Sequence, residues 1–341
     1  MFGGLAYFYR STNDSVLIDG GQIVRRCLSP KDHQSSMFVP PQVIATRVFA
    51  EVPSSLRRQK KTDWTETNRH GLATPSFLEG PSFDRADNLY LVDIPHGRVF
   101  RVSPAGKFDV ITEYDGEPNG LKIHQDGRIF IADYKNGLML LDAATGAVTP
   151  VLERRRSERF KGLNDLFFGV NGDLYFTDQG ETGLHDPTGR VYRLTPEGRL
   201  DCLVGSVPSP NGLVMDLHEK ALFVAATRGN CVWRLPNPWE TNSAKVGVFV
   251  QLSGGPGGPD GLALDAEGNL AVAHYGLGCV WVFSPHGEPL YRVNSCRGRL
   301  TTNVAYGGPD RRTMFITESD SGCVLQADMP VGGKLMYSHQ S

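Results

Sequence analysis

The sequence has little net charge and no long apolar run. Its 341 residues carry 35 Lys and Arg against 37 Asp and Glu, for a formal net charge of -2. This balance argues against the basic surface of a nucleic-acid-binding domain or of a polybasic membrane-associated protein. No apolar run is long enough to cross a bilayer. We therefore expect neither nucleic acid nor a membrane as a partner.

Cysteine is also scarce, and no Cys-x-x-Cys motif occurs. Six cysteines in a chain of this length do not form a disulfide scaffold. Cys231, Cys279 and Cys323 are each followed by valine, and we expect them to lie buried at the starts of strands. The N-terminal segment lacks the basic and apolar regions of a secretion signal. These absences predict a cytoplasmic protein, either a monomer or a weak homodimer.

The chain is rich in glycine and contains an internal repeat. Its 39 glycines and 22 prolines suit many short strands joined by tight turns. A polar residue opens each of six apolar segments, at spacings of 40, 45, 47, 49 and 43 residues. Such a period, with short alternating strands, predicts a radial β-architecture. We call these six positions the openers: Glu79, Asn119, Asn164, Asn211, Asp260 and Asn303.

Each repeat predicts four strands, which in the second repeat span residues 121–124, 128–132, 138–142 and 147–152. The sixth repeat stops after three strands, whereas residues 45–52 form a strand pattern outside any repeat. We expect that strand to complete the last blade and remove an exposed sheet edge. The prediction is an all-β, six-bladed β-propeller.

The predicted propeller spans residues 45–330, between an N-terminal extension (1–44) and a C-terminal tail (331–341). A charged connection, residues 53–78, precedes the first opener and is longer than the join requires. It is explained equally well as a lid over the site or as a solvated surface loop.

The repeated openers predict a metal site. The first strand of each propeller blade lines the central channel, so the openers share one level at its mouth. The second strand runs antiparallel to the first, so the residues fourteen positions after each opener lie at the same end of the channel. These residues are Asp93, Asp133, Asp178, Ala225, His274 and Thr317. Converging carboxylates need a cation, protons or hydrogen bonds to offset their repulsion.

Oxygen donors without a thiolate favour Ca²⁺ over zinc. The alternative explanation is that Asn-Gly and Asp-Gly are turn dipeptides. Six openers in register, two of them carboxylates, favour the metal site.

Four segments resemble motifs of one known family. Leu78-Glu79-Gly80-Pro81, Leu163-Asn164-Asp165, Pro210-Asn211-Gly212-Leu213 and Pro259-Asp260-Gly261-Leu262 occur in the order of the gluconolactonase, regucalcin and luciferin-regenerating-enzyme family. The resemblance covers about residues 45–328. It differs just before Asn164, where Gly162-Leu163 replaces a basic residue of the family pattern.

The resemblance implies one divalent cation, held by Glu79, Asn164, Asn211 and Asp260. Ca²⁺ is the preferred ion, with Zn²⁺, Mn²⁺ and Mg²⁺ as alternatives. It also implies hydrolysis of a small lactone, for which Asp260 is the predicted general base. The residues predicted to contact the substrate are Asn119, Asn303, His274, Tyr275, Asp178 and Lys161.

Two other functions remain open from the sequence. Similar propellers with the same kinds of ligand attack phosphorus, so a phosphotriester or fluorophosphate hydrolase is the first alternative. A non-catalytic, metabolite-binding propeller with structural calcium is the second. Turnover of an aldonolactone against a paraoxon-like ester separates the first alternative from a lactonase.

Overall fold

The six predicted repeats form six antiparallel sheets arranged as blades around a central channel. A computed structural model describes residues 18–19, 22–23, 39–239 and 245–340. In chain order, the strands of the first three blades are Leu78–Phe83, Leu89–Asp93, Arg98–Val102 and Phe108–Glu113 (blade 1); Pro118–Ile123, Ile129–Asp133, Gly137–Leu141 and Val148–Leu152 (blade 2); and Leu163–Phe168, Leu174–Asp178, Gly189–Leu194 and Leu200–Val207 (blade 3).

The remaining blades follow the same order from the channel outward. Their strands are Pro210–Met215, Ala221–Ala226, Cys231–Pro236 and Gly247–Gln251 (blade 4); Gly258–Leu264, Leu270–Tyr275, Cys279–Phe283 and Pro289–Asn294 (blade 5); and Thr301–Gly307, Thr313–Glu318 and Cys323–Asp328, completed by Arg47–Glu51 (blade 6). The predicted six-bladed propeller is confirmed.

The ring is closed by an N-terminal strand, as the sequence predicted. Arg47–Glu51 pairs antiparallel with Cys323–Asp328, and Arg47 forms an ion pair with Asp328. A second strand, Gln42–Ala45, was not predicted; it adds to blade 5, parallel to Pro289–Asn294. Since the two strands lie on neighbouring blades, the segment passes from blade 5 to blade 6.

The core lies between neighbouring blades. The second strands alternate by period two, so that Leu91, Ile131 and Phe176 are fully buried between sheets. Cys231, Cys279 and Cys323 are also buried, each as the first residue of its strand. The apolar faces thus hold the blades together and leave the polar openers for the channel.

Most of the extension 1–44 lies outside the described residues. Within it, Ile18–Asp19 pairs antiparallel with Gln22–Ile23, in a unit (residues 1–39) separate from residues 40–341. In the tail, Tyr337–His339 forms a 3₁₀ turn, and Tyr337 stacks on Phe168 with ring centroids 5.2 Å apart. A short hairpin, Arg154–Arg155 with Glu158–Arg159, joins blades 2 and 3.

The connection over residues 53–78 is ordered into helical turns. Ser54–Leu56 is a 3₁₀ turn, and Asp63–Asn68 is an α-helix. The Thr62 hydroxyl accepts from the Thr65 amide, while the Thr65 hydroxyl accepts from the Thr62 amide, so the helix begins with a reciprocal cap. Two further 3₁₀ turns, Ile94–His96 and Thr227–Gly229, follow the second strands of blades 1 and 4. Among the described residues, no helix has the length and hydropathy to span a bilayer.

Candidate active site

A cavity of about 620 Å³ occupies the channel mouth. Five of the six openers line it, and each comes from the innermost strand of a different blade. Residues from the loops after the second strands and from the helix Asp63–Asn68 form its walls. The openers that line the cavity are Glu79, Asn119, Asn164, Asn211 and Asp260.

A β-bulge or pairing irregularity lies at every opener. The register of each innermost strand shifts there, for example between Leu163 and Leu166 and between Pro210 and Leu213. A bulge redirects a side chain that strict alternation would place elsewhere. The openers are therefore strand residues whose side-chain directions are set by bulges.

The glycines that follow the openers permit close approach of adjacent strands. A Cβ on Gly120 would lie 2.6 Å from the Asn164 carbonyl oxygen, and one on Gly212 would lie 2.5 Å from that of Asp260. Any larger residue would push neighbouring blades apart at the mouth. The Asn-Gly pairs thus result from strand packing around a narrow channel, and these two do not form the turns that such dipeptides favour elsewhere.

Three aspartates, each fourteen residues after an opener, accept hydrogen bonds from the backbone near the start of the innermost strand. The backbone amide two residues before the opener donates to the carboxylate in each case: Phe77 to Asp93 at 2.8 Å, Glu117 to Asp133 at 3.1 Å, and Gly162 to Asp178 at 3.0 Å. All three carboxylates are fully buried. Burial raises the pKa of Asp178 to about 6, against hydrogen bonds from Gly162 and Lys161. These aspartates therefore position the openers by holding the backbone two residues before each one.

Beneath the mouth, a hydrogen-bonded network joins two buried carboxylates. Asn303 Nδ2 donates to Glu79 Oε2 at 2.9 Å and to Asp165 Oδ2 at 3.2 Å. The Val304 amide donates to Asn303 Oδ1 at 2.8 Å and so fixes which end of the side-chain amide faces the carboxylates. Lys122 Nζ lies 3.8 Å from Asp165 Oδ1. One lysine thus faces a group of acids.

That acidic group is poorly compensated. Burial, then the neighbouring Asp165 carboxylate, raises the pKa of Glu79 to about 8. Burial, followed by Glu79 and Asp165, raises the pKa of Asp260 well above its usual range. Asp260 Oδ1 and Asn211 Oδ1 are buried, with no hydrogen-bond partner among the residues that the structure describes. Buried oxygens of this kind are costly unless protons or a cation occupy the space they face.

The donor set fits a hard divalent cation. Glu79, Asn164, Asn211 and Asp260 together offer two carboxylates and two amides, with oxygen as the donor atom. Asn164 Nδ2 donates to Gln179 Oε1 at 2.9 Å, which fixes the orientation of its amide. Within the described ranges, no three His, Cys, Asp or Glu side chains form a metal-binding group. A cation here therefore depends on the asparagine oxygens.

The residues predicted to bind substrate separate into two groups. Asn119 and Tyr275 line the cavity. The side chains of Asn303 and Asp178 instead take part in the hydrogen bonds described above, and Lys161 Nζ donates a hydrogen bond to the Thr188 hydroxyl. His274 is fully buried, and its Nδ1 accepts from Trp281 Nε1 at 3.3 Å. Burial lowers the pKa of His274, which keeps the ring neutral in its apolar surroundings.

Sequence reasoning missed the helix in the connection. Trp64, Thr67 and Asn68 from this helix line the cavity, so the connection forms a wall of the site. The Thr62–Thr65 spacing, with acidic Asp63 and Glu66 in the first turn, was the available signal for a helix start. The contact between the helix and the channel mouth is long-range and left no local signal.

Comparisons with known proteins agree with this fold and site. Residues 77–320 match the SMP-30/Gluconolactonase/LRE-like region, a span that includes all six openers. The chain belongs to the SMP-30/gluconolactonase/LRE-like family.

Two curated relatives are enzymes by name. The chain is 30% identical over 305 residues to lactonase drp35 of Staphylococcus aureus (strain MRSA252), covering 84% of this chain and 88% of the relative. It is 29% identical over 276 residues to a gluconolactonase of Zymomonas mobilis, covering 71% and 76% of the two chains.

Solved structures show the same architecture. A calcium-binding protein, regucalcin, from Agrobacterium tumefaciens aligns with a TM-score of 0.71 at 22% identity, over 88% of this chain and 99% of that one. A gluconolactonase from Xanthomonas campestris aligns with a TM-score of 0.66 at 22% identity, over 83% and 99%. At these identities the likeness concerns the fold alone.

Proposed function

We propose that the protein is a hydrolase that opens a lactone, with one divalent cation at the channel mouth. The relatives named lactonase and gluconolactonase support the reaction class. The observation that carries the proposal is the convergence of Glu79, Asn164, Asn211 and Asp260 on one cavity. Asn211 and Asp260 each have a buried oxygen without a partner in the described part of the chain. Calcium is the ion that this oxygen set favours.

These four residues would hold the cation. The chemistry available from a divalent cation at such a position is polarisation of the lactone carbonyl and neutralisation of the charge that develops on its oxygen. Glu79 is held for this role by two donors to its Oε2, the Gly80 amide and the Asn303 side chain, both at 2.9 Å. Its other oxygen, Oε1, remains outside these two bonds.

Asp260 is the proposed general base. The Asp260 carboxylate has two oxygens, so while one would hold the cation, the other would take a proton from the water that attacks the carbonyl carbon. When the ring C–O bond breaks, the same carboxyl returns the proton to the departing alkoxide oxygen. The balanced result is one hydroxy acid from one lactone and one water.

A panel of substrates tests the reaction class. We expect the purified protein, supplied with Ca²⁺, to hydrolyse at least one lactone with kcat/KM at least about 100-fold above that for a paraoxon-like phosphotriester. The measurement is pH-stat or indicator titration of the acid released. Preference for the phosphotriester would assign the site to phosphorus chemistry, and no turnover of any ester would favour a binding protein.

A further inference from the structure

The helix Asp63–Asn68, here called the capping helix, is fastened to two blades. The Trp64 amide donates to Glu117 Oε1 of the loop that enters blade 2, at 3.0 Å. At the other end, Arg69 Nη1 donates to the Tyr275 hydroxyl of blade 5 at 3.2 Å. Glu117 is buried, so its bond to the helix is shielded from water. The capping helix is therefore a fixed wall of the mouth.

Trp64 of the capping helix forms part of an apolar surface on one side of the cavity. The Trp64 and Phe77 rings meet edge to face with centroids 4.7 Å apart, and Ile94 packs with them in one cluster. All three residues also line the cavity. Arg69 covers the outer side of Phe77, its guanidinium carbon 5.6 Å from the ring centroid. The cluster thus presents an apolar edge to whatever enters.

The facing side of the cavity is polar. Blades 3 and 4 supply Gln179, Thr182 and Arg228, and blade 4 lies opposite blade 1 in a ring of six. A volume of about 620 Å³ falls within the roughly 300–1,000 Å³ of sites for drug-sized ligands. The cavity therefore has room for a substituent in addition to a lactone ring.

We infer that Trp64 is a specificity-determining residue and that the substrate is a lactone bearing an apolar substituent. This inference rests on the proposed lactonase function. The substituent packs against Trp64, Phe77 and Ile94 while the lactone carbonyl faces the openers. A polyhydroxylated lactone in the same position places hydroxyl groups against the apolar side chains of Trp64, Phe77 and Ile94, which costs binding energy.

Kinetics of Trp64 variants test the inference. The substrates are δ-valerolactone, the same ring with an alkyl chain on the carbon next to the ring oxygen, and glucono-δ-lactone. We expect the wild type to prefer the alkyl-substituted ring, and Trp64→Ala to lower its kcat/KM roughly 10-fold, mainly through KM. The kcat/KM for unsubstituted δ-valerolactone should change less than about 3-fold. Trp281→Ala, which removes a tryptophan outside the cavity lining, is the matched control and leaves the preference unchanged.

Two further variants keep the test decisive if Trp64→Ala fails to fold, as judged by circular dichroism. Trp64→Phe should retain the preference for the alkyl-substituted ring, and Trp64→Gln should lose it. Equal effects of Trp64→Gln on all three lactones, or a wild-type preference for glucono-δ-lactone, would overturn the inference and leave the lactonase function standing. If wild type hydrolyses no lactone at all, the proposed function itself fails.

Discussion

Asp260→Asn is expected to abolish lactone hydrolysis and at the same time to stabilise the metal-free protein. The substitution removes the proposed base and one of two anionic ligands while preserving shape. General-base catalysis contributes roughly 10²–10⁴-fold, so kcat should fall at least about 1,000-fold. Initial rates on the best lactone, measured with excess Ca²⁺, give this number.

The stability gain follows from the same burial. Asp260 lies near Glu79 and Asp165, and none of the described residues gives its Oδ1 a hydrogen-bond partner. Replacing a poorly compensated buried carboxylate with a neutral amide should raise the free energy of unfolding by about 2 kcal/mol. Urea unfolding of the chelated protein at pH 7 measures this change.

Asp328→Asn is the control for both effects, because Asp328 pairs with Arg47 on the exposed outer edge of blade 6. It should change neither the rate nor the stability appreciably. An Asp260→Asn protein that keeps activity within tenfold of wild type would exclude Asp260 as the base.

Asn303→Leu is expected to weaken both the fold and cation binding. Leucine fills similar space but donates no hydrogen bond, which leaves Glu79 Oε2 and Asp165 Oδ2 without the amide that now joins them. Breaking a buried charged network in this way should lower the free energy of unfolding by about 3 kcal/mol. Loss of such a supporting contact typically costs roughly 10–100-fold in metal affinity.

Isothermal titration with Ca²⁺ and urea unfolding measure the two effects of Asn303→Leu. Asn119→Leu is the matched control for stability, because Asn119 is also an opener but lies outside the hydrogen-bonded network of Asn303. It should cost less than about 1 kcal/mol. Wild-type Ca²⁺ affinity in Asn303→Leu would show that Asn303 does not position Glu79.

Much of the fold was readable from the sequence because propeller blades repeat. The spacing of the openers, the period-two strands and the missing fourth strand of the sixth repeat predicted six blades and the closing strand Arg47–Glu51. The resemblance added Glu79, Asn164, Asn211 and Asp260, which share one cavity. Repetition carries this information because equivalent positions in equivalent blades meet around one axis.

The directions of individual side chains could not be predicted from the sequence, for physical reasons. The openers lie at bulges, where strict alternation fails, so Asn303 turns toward Glu79 and Asp165 instead of lining the cavity. His274 shares a repeat position with Asp93 but packs against Trp281. The capping helix reaches the mouth through tertiary contacts between residues far apart in the chain, such as Trp64 with Glu117.

We propose that one divalent cation at the channel mouth is required for lactone hydrolysis. The most direct test is to chelate the protein exhaustively and then titrate Ca²⁺, recording bound calcium and lactonase rate in the same samples. We predict no measurable hydrolysis after chelation and full recovery at one bound ion per chain, with neither binding nor recovery in Asp260→Asn. Full activity of the metal-free protein on every lactone it accepts would contradict the account.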